Sequence, residues 1–517
     1  MTGMGDSGGS GKAGSGIWPL LTAAACIALV MAACLPTEPL FYSNQHTKFL
    51  HGFAQAGFGF LDEDWQAWTK NGLPLFTAIV YAVAATAPKE AFYLLQFLTF
   101  WGFAAAALMC WRALARERYG EGTGDRLLWP VAALIALTQI SQPLGKLWQG
   151  VANQYILDRM FEPASFGSLL LVAVALFLGN RAILAALAIV AAAAMHPGYV
   201  IPGAALLFGF AVVALTEPAP PRAWPLAVSI GLAGLIATFL YLQFAFKPTE
   251  PGLRIEAAAI IAKHRIPDHS LVSEWFDIDA WQKLIAVLAA CWLARSARYG
   301  RLLLAAFGLT AALTLVAMIT GSPEIALIAP WRTSTVLAPL ANVVLLGALA
   351  VWIERKLAEA PPERAARLRR RLGLGVRAVL ALAVVMGAAL KAPAYLWPTP
   401  APDLDFARAE RASGQLYLTP IDRSEFRLET GAPQYVNWKT HPYLDVEVIE
   451  WWRRIETARD VYAAPALACE KITRLAREEA VTHVFLPTGA PLEKPCAGWA
   501  VVHEDDRTTV YAYRGDG

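Results

Sequence analysis

The chain has 517 residues, of which 56% are hydrophobic and only 16% are charged. Typical soluble proteins carry about 25% charged residues, so this composition excludes an ordinary soluble protein and predicts many helices that span a lipid bilayer. The formal net charge of +3 is too small to indicate nucleic acid as a partner.

Residues 1–16 are rich in glycine and serine and predict a flexible N-terminal tail. The apolar stretch from Ile17 to Leu35 is too long for a simple cleaved signal, and we interpret it as the first membrane helix. A bilayer core requires about twenty apolar residues per helix. Ten further spans are predicted on this basis: Ala91–Ala113, Leu127–Ile140, Phe161–Gly179, Ala182–Met195, Tyr199–Leu215, Trp224–Phe246, Trp281–Ala294, Leu302–Thr320, Thr335–Ile353 and Val376–Ala392.

The apolar stretch from Pro74 to Ala87 decides the predicted topology. Its length of about fourteen residues is typical of an interfacial or re-entrant helix. If this stretch does not cross the membrane, every basic loop lies on the cytoplasmic side, as the positive-inside rule requires. Residues 36–90 then form one long outer loop, and the chain has further outer segments at residues 141–160, 247–280 and 321–334.

From about residue 394 to residue 517, strands alternate with helices, which predicts a small outer α/β domain. The predicted fold class is therefore an α-helical polytopic membrane protein of about eleven transmembrane helices (residues 17–393) with a C-terminal α/β domain. Predicted strands are QLYLTP, PQYVNW, THVFLP, WAVVHE and TTVYAYR. Cys469 and Cys496 form a disulfide if the outer side is oxidising, a pairing that sequence alone leaves open.

Polar residues near the membrane concentrate on the outer side. In the first outer loop Asp62, Glu63 and Asp64 precede Trp65, and such an acidic cluster binds a divalent metal or acts as a general base. The alternative is a solvated loop whose tryptophans lie at the headgroup level. No cofactor is specified by the sequence, although a divalent cation remains an option.

Other outer segments supply candidate substrate-binding residues. Arg159 is suited to hold a phosphate group, and the alternative for it is a local ion pair with Asp158 or Glu162. A charge this close to hydrocarbon must pair or line a cavity, so all these polar groups are expected to converge on one outer cavity that accepts an anionic, lipid-linked ligand. The full candidate set is Arg159, Glu162, His196, Tyr199, His264, Arg265, His269 and Arg332.

The order of these features resembles the C-type membrane glycosyltransferases, which use polyprenyl-phosphate-linked sugars and include the protein mannosyltransferase and aminoarabinose transferase branch. LHGFAQAGFGFLDEDW followed by GLPLFTAIVYAV is similar to the family's first outer loop. Asp64-Trp65 matches its Asp-Trp element, and Pro74-Leu75-Phe76 matches its helix entry. The resemblance implies a helical bundle, an acidic catalytic residue in this loop and an outer C-terminal domain.

One departure from the family pattern concerns its acidic pair. Asn44-Gln45 stands at that position, and neither side chain can serve as a base. Either catalysis rests on Asp62, Glu63 or Asp64, or the chain is not a working transferase of this type. The sequence also resembles an uncharacterised group of bacterial membrane proteins with a C-terminal domain of unknown function, through YSNQ…HG, FEPASFG and FRLETG…WKTHPY.

These observations predict a glycosyltransferase-like protein of the bacterial inner membrane, with a cytoplasmic N-terminus and a periplasmic C-terminal domain. It would transfer a sugar from a polyprenyl-phosphate carrier to an acceptor on the outer face. The alternatives are a non-catalytic membrane scaffold, and a transporter or flippase of lipid-linked intermediates. Transport is disfavoured because the helix centres are nearly free of charge.

Overall fold

The computed structural model describes residues 16–35, 38–157, 159–490, 492 and 496–515. The predicted tail over residues 1–16 therefore lies almost wholly outside the described residues. Most of the described chain is helical, and a small sheet is confined to the C-terminal domain. The fold class is confirmed in this coarser form, as a multi-pass helical bundle with a small C-terminal sheet domain.

Apolar helices account for most of residues 17–396. Seven of them are long and apolar enough to cross a bilayer: Ile17–Cys34, Ala91–Tyr119, Pro197–Thr216, Trp224–Ala245, Arg298–Thr320, Pro323–Ala358 and Pro362–Leu396. Shorter apolar helices are Pro74–Thr86, Leu128–Leu137, Pro163–Leu178 and Ala182–Met195, and Ile278–Leu293 is a further helix. The predicted total of about eleven spans remains a prediction.

Small residues allow these helices to pack closely, as is typical of membrane bundles. A Cβ atom on Gly347 would lie 2.3 Å from the Trp111 ring, and one on Gly387 would lie 2.4 Å from the carbonyl oxygen of Ala33. These two glycines therefore bring the helices Ser334–Ala358 and Pro362–Leu396 against their neighbours in the bundle. The latter helix ends three residues beyond the predicted domain boundary at residue 393.

The helix Pro74–Thr86 has 13 residues and begins at a proline, which is preorganised for the first helical turn. At about 1.5 Å per residue it is much shorter than the roughly 30 Å hydrocarbon core. Its buried residues Phe76 and Val80 pack with Phe49 and Phe53 of the first outer loop. These contacts support an interfacial position for the helix.

The inter-helix segments lie at two opposite ends of the bundle. At one end Arg298 contacts Glu117 at 2.7 Å and Asn180 at 2.9 Å, while Arg118 donates to Ser296. The predicted basic loops therefore meet one another. The predicted outer segments meet the C-terminal domain at the other end, where for example Thr249 donates to Asp445.

The C-terminal domain contains four strands in the order β1-β2-β4-β3. They are β1 Tyr417–Leu418, β2 His483–Pro487, β3 Trp499–Glu504 and β4 Thr508–Tyr513; β1 is parallel to β2, and the other pairs are antiparallel. The helices are Pro402–Glu410, Phe426–Thr430, Asp445–Ala463 and Cys469–Glu479. The predicted strand PQYVNW was wrong, because its backbone makes only an isolated bridge between Gln434 and Tyr417.

Cys469 and Cys496 form a disulfide that joins the start of one helix to the segment before β3. Of the remaining cysteines, Cys110 and Cys291 are buried in the bundle as free thiols. The pairing agrees with the disulfide that the sequence left open.

Candidate functional site

The three acidic residues of the first outer loop do not share one site. Asp64 is fully buried, and its Oδ2 accepts hydrogen bonds from Arg427 Nε at 2.6 Å and from the Gln434 backbone N–H at 2.8 Å. Its Oδ1 accepts from the Gln66 backbone N–H at 2.8 Å. Oδ2 therefore attaches the first outer loop to the C-terminal domain, while Oδ1 caps the short helix Trp65–Trp68 within the loop.

Glu63 lies at the same interface but on its exposed edge. Its carboxylate accepts hydrogen bonds from Ser413 Oγ at 2.6 Å and the Gly414 backbone N–H at 2.7 Å, and these bonds lower its pKa. Asp62 is exposed, and its backbone carbonyl accepts a hydrogen bond from the Trp68 indole. The predicted catalytic cluster is thus spread over an inter-domain contact, with its three carboxylates facing different surroundings.

Glu162 occupies the centre of a different polar cluster. The residue is 2% exposed, and Asn44 Nδ2 donates to its Oε2 at 2.8 Å. The same amide nitrogen donates to Tyr155 Oη at 3.0 Å. Asn44, which stands where the resembling family has an acidic residue, therefore holds Glu162 in place by a hydrogen bond.

Arg332 approaches this centre from the start of the helix Ser334–Ala358. Its Nε donates to Gln154 Oε1 at 2.9 Å. A Cβ on Gly198 would lie only 1.8 Å from Arg332 Nη1, so glycine is required there for the guanidinium to fit. His196 and Tyr199 flank Gly198, and their rings contact each other with centroids 5.1 Å apart. The predicted residues Glu162, His196, Tyr199 and Arg332 are therefore brought together.

The C-terminal domain adds cations to the same place. Burial and the neighbouring Arg265 lower the pKa of Lys439 to about 8, and the nearby Glu162 carboxylate acts in the opposite direction. Arg265 Nη2 donates to the Lys439 carbonyl oxygen at 2.9 Å. The name cationic cluster is used below for Lys48, Arg265, Arg332 and Lys439.

Tyr443 shows that these cations surround one point. Lys48 Nζ donates to its hydroxyl. Burial alone would raise the pKa of Tyr443, but the charges of Lys48, Arg265 and Arg332 hold it below its ordinary value. The carboxylates that act on these four cations are the buried Glu162 beside Arg332 and Lys439 and the exposed Asp268 beside Arg265 and Lys439, so an excess of positive charge remains. Such an arrangement attracts an anion such as a phosphate group.

The histidines near the cationic cluster are held neutral. Burial, assisted by the Lys439 charge, lowers the pKa of His46 to about 4. Burial and the Arg265 charge place the pKa of His441 well below its ordinary value, and burial also lowers that of His269. The positive charge of the cluster therefore comes from lysine and arginine at neutral pH.

Two predicted residues lie outside this centre. Arg159 pairs with Glu38 at 3.2 Å and donates to Tyr42 Oη at 3.2 Å, and the predicted alternative partner Asp158 lies outside the described residues. His264 stacks on Trp452 with ring centroids 5.1 Å apart, at the contact with the C-terminal domain. His269 lies at the edge of the centre and donates to the Ala152 carbonyl.

Several residues of the site were not predicted. Lys48 and Tyr155 carry no motif, and they join the site only through contacts between distant segments, whereas Tyr443 is the last residue of WKTHPY. Lys439 belongs to WKTHPY, a polar aromatic element that is a visible signal in the sequence. Among the residues that the structure describes, no group of three or more His, Cys, Asp or Glu side chains is placed to hold a metal ion.

Residues 403–458 match a family described as a domain of unknown function, DUF6798. No curated protein matches the sequence. The chain is similar to an oligosaccharyltransferase from Archaeoglobus fulgidus in complex with zinc and sulfate, at 12% identity, with 96% of this chain and 73% of that chain covered and a TM-score of 0.52. A second structure of that enzyme is tethered to an acceptor peptide containing the NVT sequon. It is 12% identical, with 97% of this chain and 74% of that chain covered and a TM-score of 0.47.

The first of these structural likenesses shows a shared fold. At 12% identity it shows the fold alone, which agrees with the helical bundle that the predicted resemblance implies. The resemblance to a particular bacterial group remains a prediction. That group was expected to carry a C-terminal domain of unknown function, and residues 403–458 of this chain match a family described as one.

Proposed function

We propose that the protein is a membrane glycosyltransferase that takes a sugar from a polyprenyl-phosphate carrier and acts on the outer face of the bacterial inner membrane. The observation that carries the proposal is the convergence of Lys48, Arg265, Arg332 and Lys439 on one point beside Glu162. The shared fold with oligosaccharyltransferase supports it. A phosphate group held by the cationic cluster would lie at the membrane surface, where the head of a lipid carrier is found.

The chemistry follows from the charges at the site. Glu162 accepts the proton of an acceptor hydroxyl while the acceptor oxygen forms a bond to the anomeric carbon of the sugar. The bond between that carbon and the phosphate oxygen breaks, and its electron pair leaves with the phosphate. The cationic cluster stabilises the negative charge that develops on the leaving phosphate. Asn44 positions Glu162 for the proton transfer.

The sequence prediction assigned the general base to Asp62, Glu63 or Asp64 instead. Both oxygens of Asp64 already accept hydrogen bonds, and Glu63 is bonded to Ser413 and Gly414. Glu162 is adjacent to the cationic cluster, as its effect on the pKa of Lys439 requires. We therefore place the base at Glu162, and a comparison of variants decides between the two assignments.

A second candidate is a non-catalytic scaffold that binds lipid phosphate. The observation in its favour is Asn44, an amide where the resembling family carries a carboxylate. Such a protein would bind the carrier through the cationic cluster and present the C-terminal domain to a partner. It would retain lipid binding but show no transfer.

The proposal is tested first by binding. Native mass spectrometry of the purified full-length chain should detect bound polyprenyl phosphate, and K439M and R265M should each weaken it about tenfold, which corresponds to the loss of one charge-assisted contact. The matched control is K471M, because Lys471 pairs with Asp460 away from the cluster. Binding that is absent in the wild type, or unchanged in both variants, contradicts the proposal.

Transfer is tested next with a radiolabelled polyprenyl-phosphate sugar and inner-membrane vesicles as the source of acceptor. E162Q should abolish transfer and retain lipid binding, whereas a folded D62N variant should keep its activity. Full activity in E162Q together with loss in D62N would return the base to the first outer loop. Lipid binding without transfer in the wild type would favour the scaffold.

A further inference from the structure

A cavity of about 280 Å³ lies beside the candidate site, at the end of the bundle that carries the C-terminal domain. The helices Ile17–Cys34 and Ala91–Tyr119 form one wall, and residues between Gln139 and Leu157 form the other together with Arg159. The side-chain amides of Gln139, Gln142, Gln149 and Asn153 line it. Four amides in one small cavity are unusual at the end of an apolar bundle.

Gln139 is the residue that points to a ligand. It is 2% exposed, and its Nε2 has no hydrogen-bond partner among the described residues. A buried amide donor that lacks a partner is costly, and buried polar side chains in proteins are usually satisfied. A ligand with hydrogen-bond acceptors would satisfy it.

The lining also specifies the kind of ligand. Each amide presents both a donor and an acceptor, which suits the paired hydroxyls of a sugar. Trp148 adds an aromatic wall, and aromatic side chains combine apolar area with a defined geometry. Among the described residues the lining includes no carboxylate, and its two cations are Lys146, which is exposed, and Arg159, which is paired with Glu38. A neutral polyhydroxy group therefore fits this lining.

The cavity adjoins the chemical centre through Tyr155. This residue lines the cavity, and its hydroxyl accepts a hydrogen bond from Asn44 at 3.0 Å. The same amide of Asn44 binds Glu162 at 2.8 Å. Tyr155 therefore belongs both to the lining of the cavity and to the hydrogen-bonded group around Glu162.

We infer that this cavity binds the sugar unit of the donor whose phosphate the cationic cluster holds, an inference that rests on the proposed function. Its volume is at the lower limit of the roughly 300–1,000 Å³ found for drug-sized ligands, so it accommodates one sugar ring and not an oligosaccharide. The cavity would supply specificity for the sugar, and the cationic cluster would supply affinity for the phosphate.

The test compares two lipids on the full-length chain. Polyprenyl phosphate bearing one glucose or one mannose should bind at least tenfold more tightly than bare polyprenyl phosphate, for at least one of the sugars. Q139L and Q149L should remove this advantage and leave binding of the bare lipid unchanged. The control is Q243L, because Gln243 is exposed on the helix Trp224–Ala245, away from the cavity. Q149L keeps the test decisive if Q139L does not fold, because Gln149 is less buried than Gln139.

Each outcome has a defined meaning. Equal affinity of the wild type for bare and glycosylated lipids overturns the sugar cavity and leaves the proposed function intact. An equal loss of affinity for both lipids in Q149L also overturns it. A changed KM for the acceptor with an unchanged affinity for the donor overturns it as well. If neither lipid binds the wild type, the proposed function fails and this inference fails with it.

Discussion

Lys439 is a cation whose charge changes close to neutral pH. Burial and Arg265 lower its pKa to about 8, so the free protein loses this charge as the pH rises through that value. The other three members of the cationic cluster include two arginines, which remain charged. Phosphate affinity should therefore fall in the alkaline range as Lys439 loses its charge, and ionisation of Tyr443, whose pKa the cluster also lowers, contributes to the same fall.

We expect the affinity for polyprenyl phosphate to be highest below about pH 8 and to fall about tenfold as Lys439 deprotonates. The bound anion favours the protonated lysine, so the fall extends above the pKa of the free protein. In K439R the part of the fall that Lys439 causes should disappear, because arginine keeps its charge. In K439R/Y443F the part that Tyr443 causes should disappear as well, because phenylalanine has no hydroxyl to ionise. Native mass spectrometry or microscale thermophoresis between about pH 7 and pH 10 checks this, and an identical fall in K439R would refute it.

The buried ion pair between Asp64 and Arg427 stabilises the contact between the first outer loop and the C-terminal domain. Both side chains are almost wholly excluded from solvent, at 0% and 1% exposed. In D64N an uncompensated guanidinium remains in the interface, and we expect a loss of about 3–5 kcal/mol in the free energy of unfolding. D62N is the matched control, because Asp62 is exposed and its loss should change stability by less than about 0.5 kcal/mol.

Thermal unfolding in detergent, followed by tryptophan fluorescence, measures both variants. The double variant D64L/R427M should recover part of the loss, since replacing both charges by apolar groups removes the uncompensated charge. If D64N unfolds like the wild type yet abolishes transfer, Asp64 has a chemical role and the structural assignment is wrong.

At the scale of elements, the disulfide anchors the helix Cys469–Glu479 to the segment before β3. Cys469 and Cys496 are separated by 27 residues, and closing such a loop stabilises a domain by about 3–4 kcal/mol in the chain-entropy model. We expect C469S/C496S to lower the melting temperature of the C-terminal domain. C291S should have a smaller effect, because Cys291 is a free thiol in the bundle.

Mass spectrometry of the full-length chain, alkylated with and without reductant, counts the thiols directly. Two additional alkylated cysteines after reduction are expected. The same alkylation count with and without reductant would show that the pair is not formed in the membrane and that the domain does not face an oxidising compartment.

Periodic elements were predictable, while their contacts were not. The helix Asp445–Ala463 and strands β2, β3 and β4 follow from local patterns of apolar residues. PQYVNW has the composition of a strand, but the backbone of Gln434 is used to bind Asp64 instead of a full ladder. That contact joins residues 370 positions apart, and no local pattern can indicate it.

Individual residues of the candidate site were also predictable from the sequence, but their contacts were not. Arg265, Arg332 and Glu162 were expected on the outer face because charges near hydrocarbon must line a cavity or pair. The adjacent carboxylates of residues 62–64 were predicted to be catalytic. Asp64 instead pairs with Arg427 in the C-terminal domain. Lys48 and Lys439 come from segments 391 positions apart, and only the fold brings them together.

At the scale of the whole molecule, the position of Pro74–Thr86 sets the orientation of everything after it. As an interfacial helix it leaves the loops at Arg222 and Arg364 on the cytoplasmic side, with the C-terminal domain outside. As a crossing helix it would invert both. Lys48 precedes this helix and Lys439 follows it. Only the interfacial arrangement therefore leaves both cations on one side of the membrane, as the contact between Lys48 and Tyr443 requires.

Cysteine accessibility distinguishes these two arrangements. In a background with Cys26, Cys34, Cys110 and Cys291 replaced by alanine, K89C should react with a membrane-impermeant maleimide added to intact spheroplasts, because Lys89 is exposed in the turn after the short helix. R222C should react only after the membrane is permeabilised. The 13-residue helix can span at most about 20 Å of the roughly 30 Å core, which is the physical reason for this expectation. Labelling of R222C but not K89C in intact spheroplasts would show that the helix crosses, and Lys48 would then lie on the opposite side of the membrane from Arg265, Arg332 and Lys439.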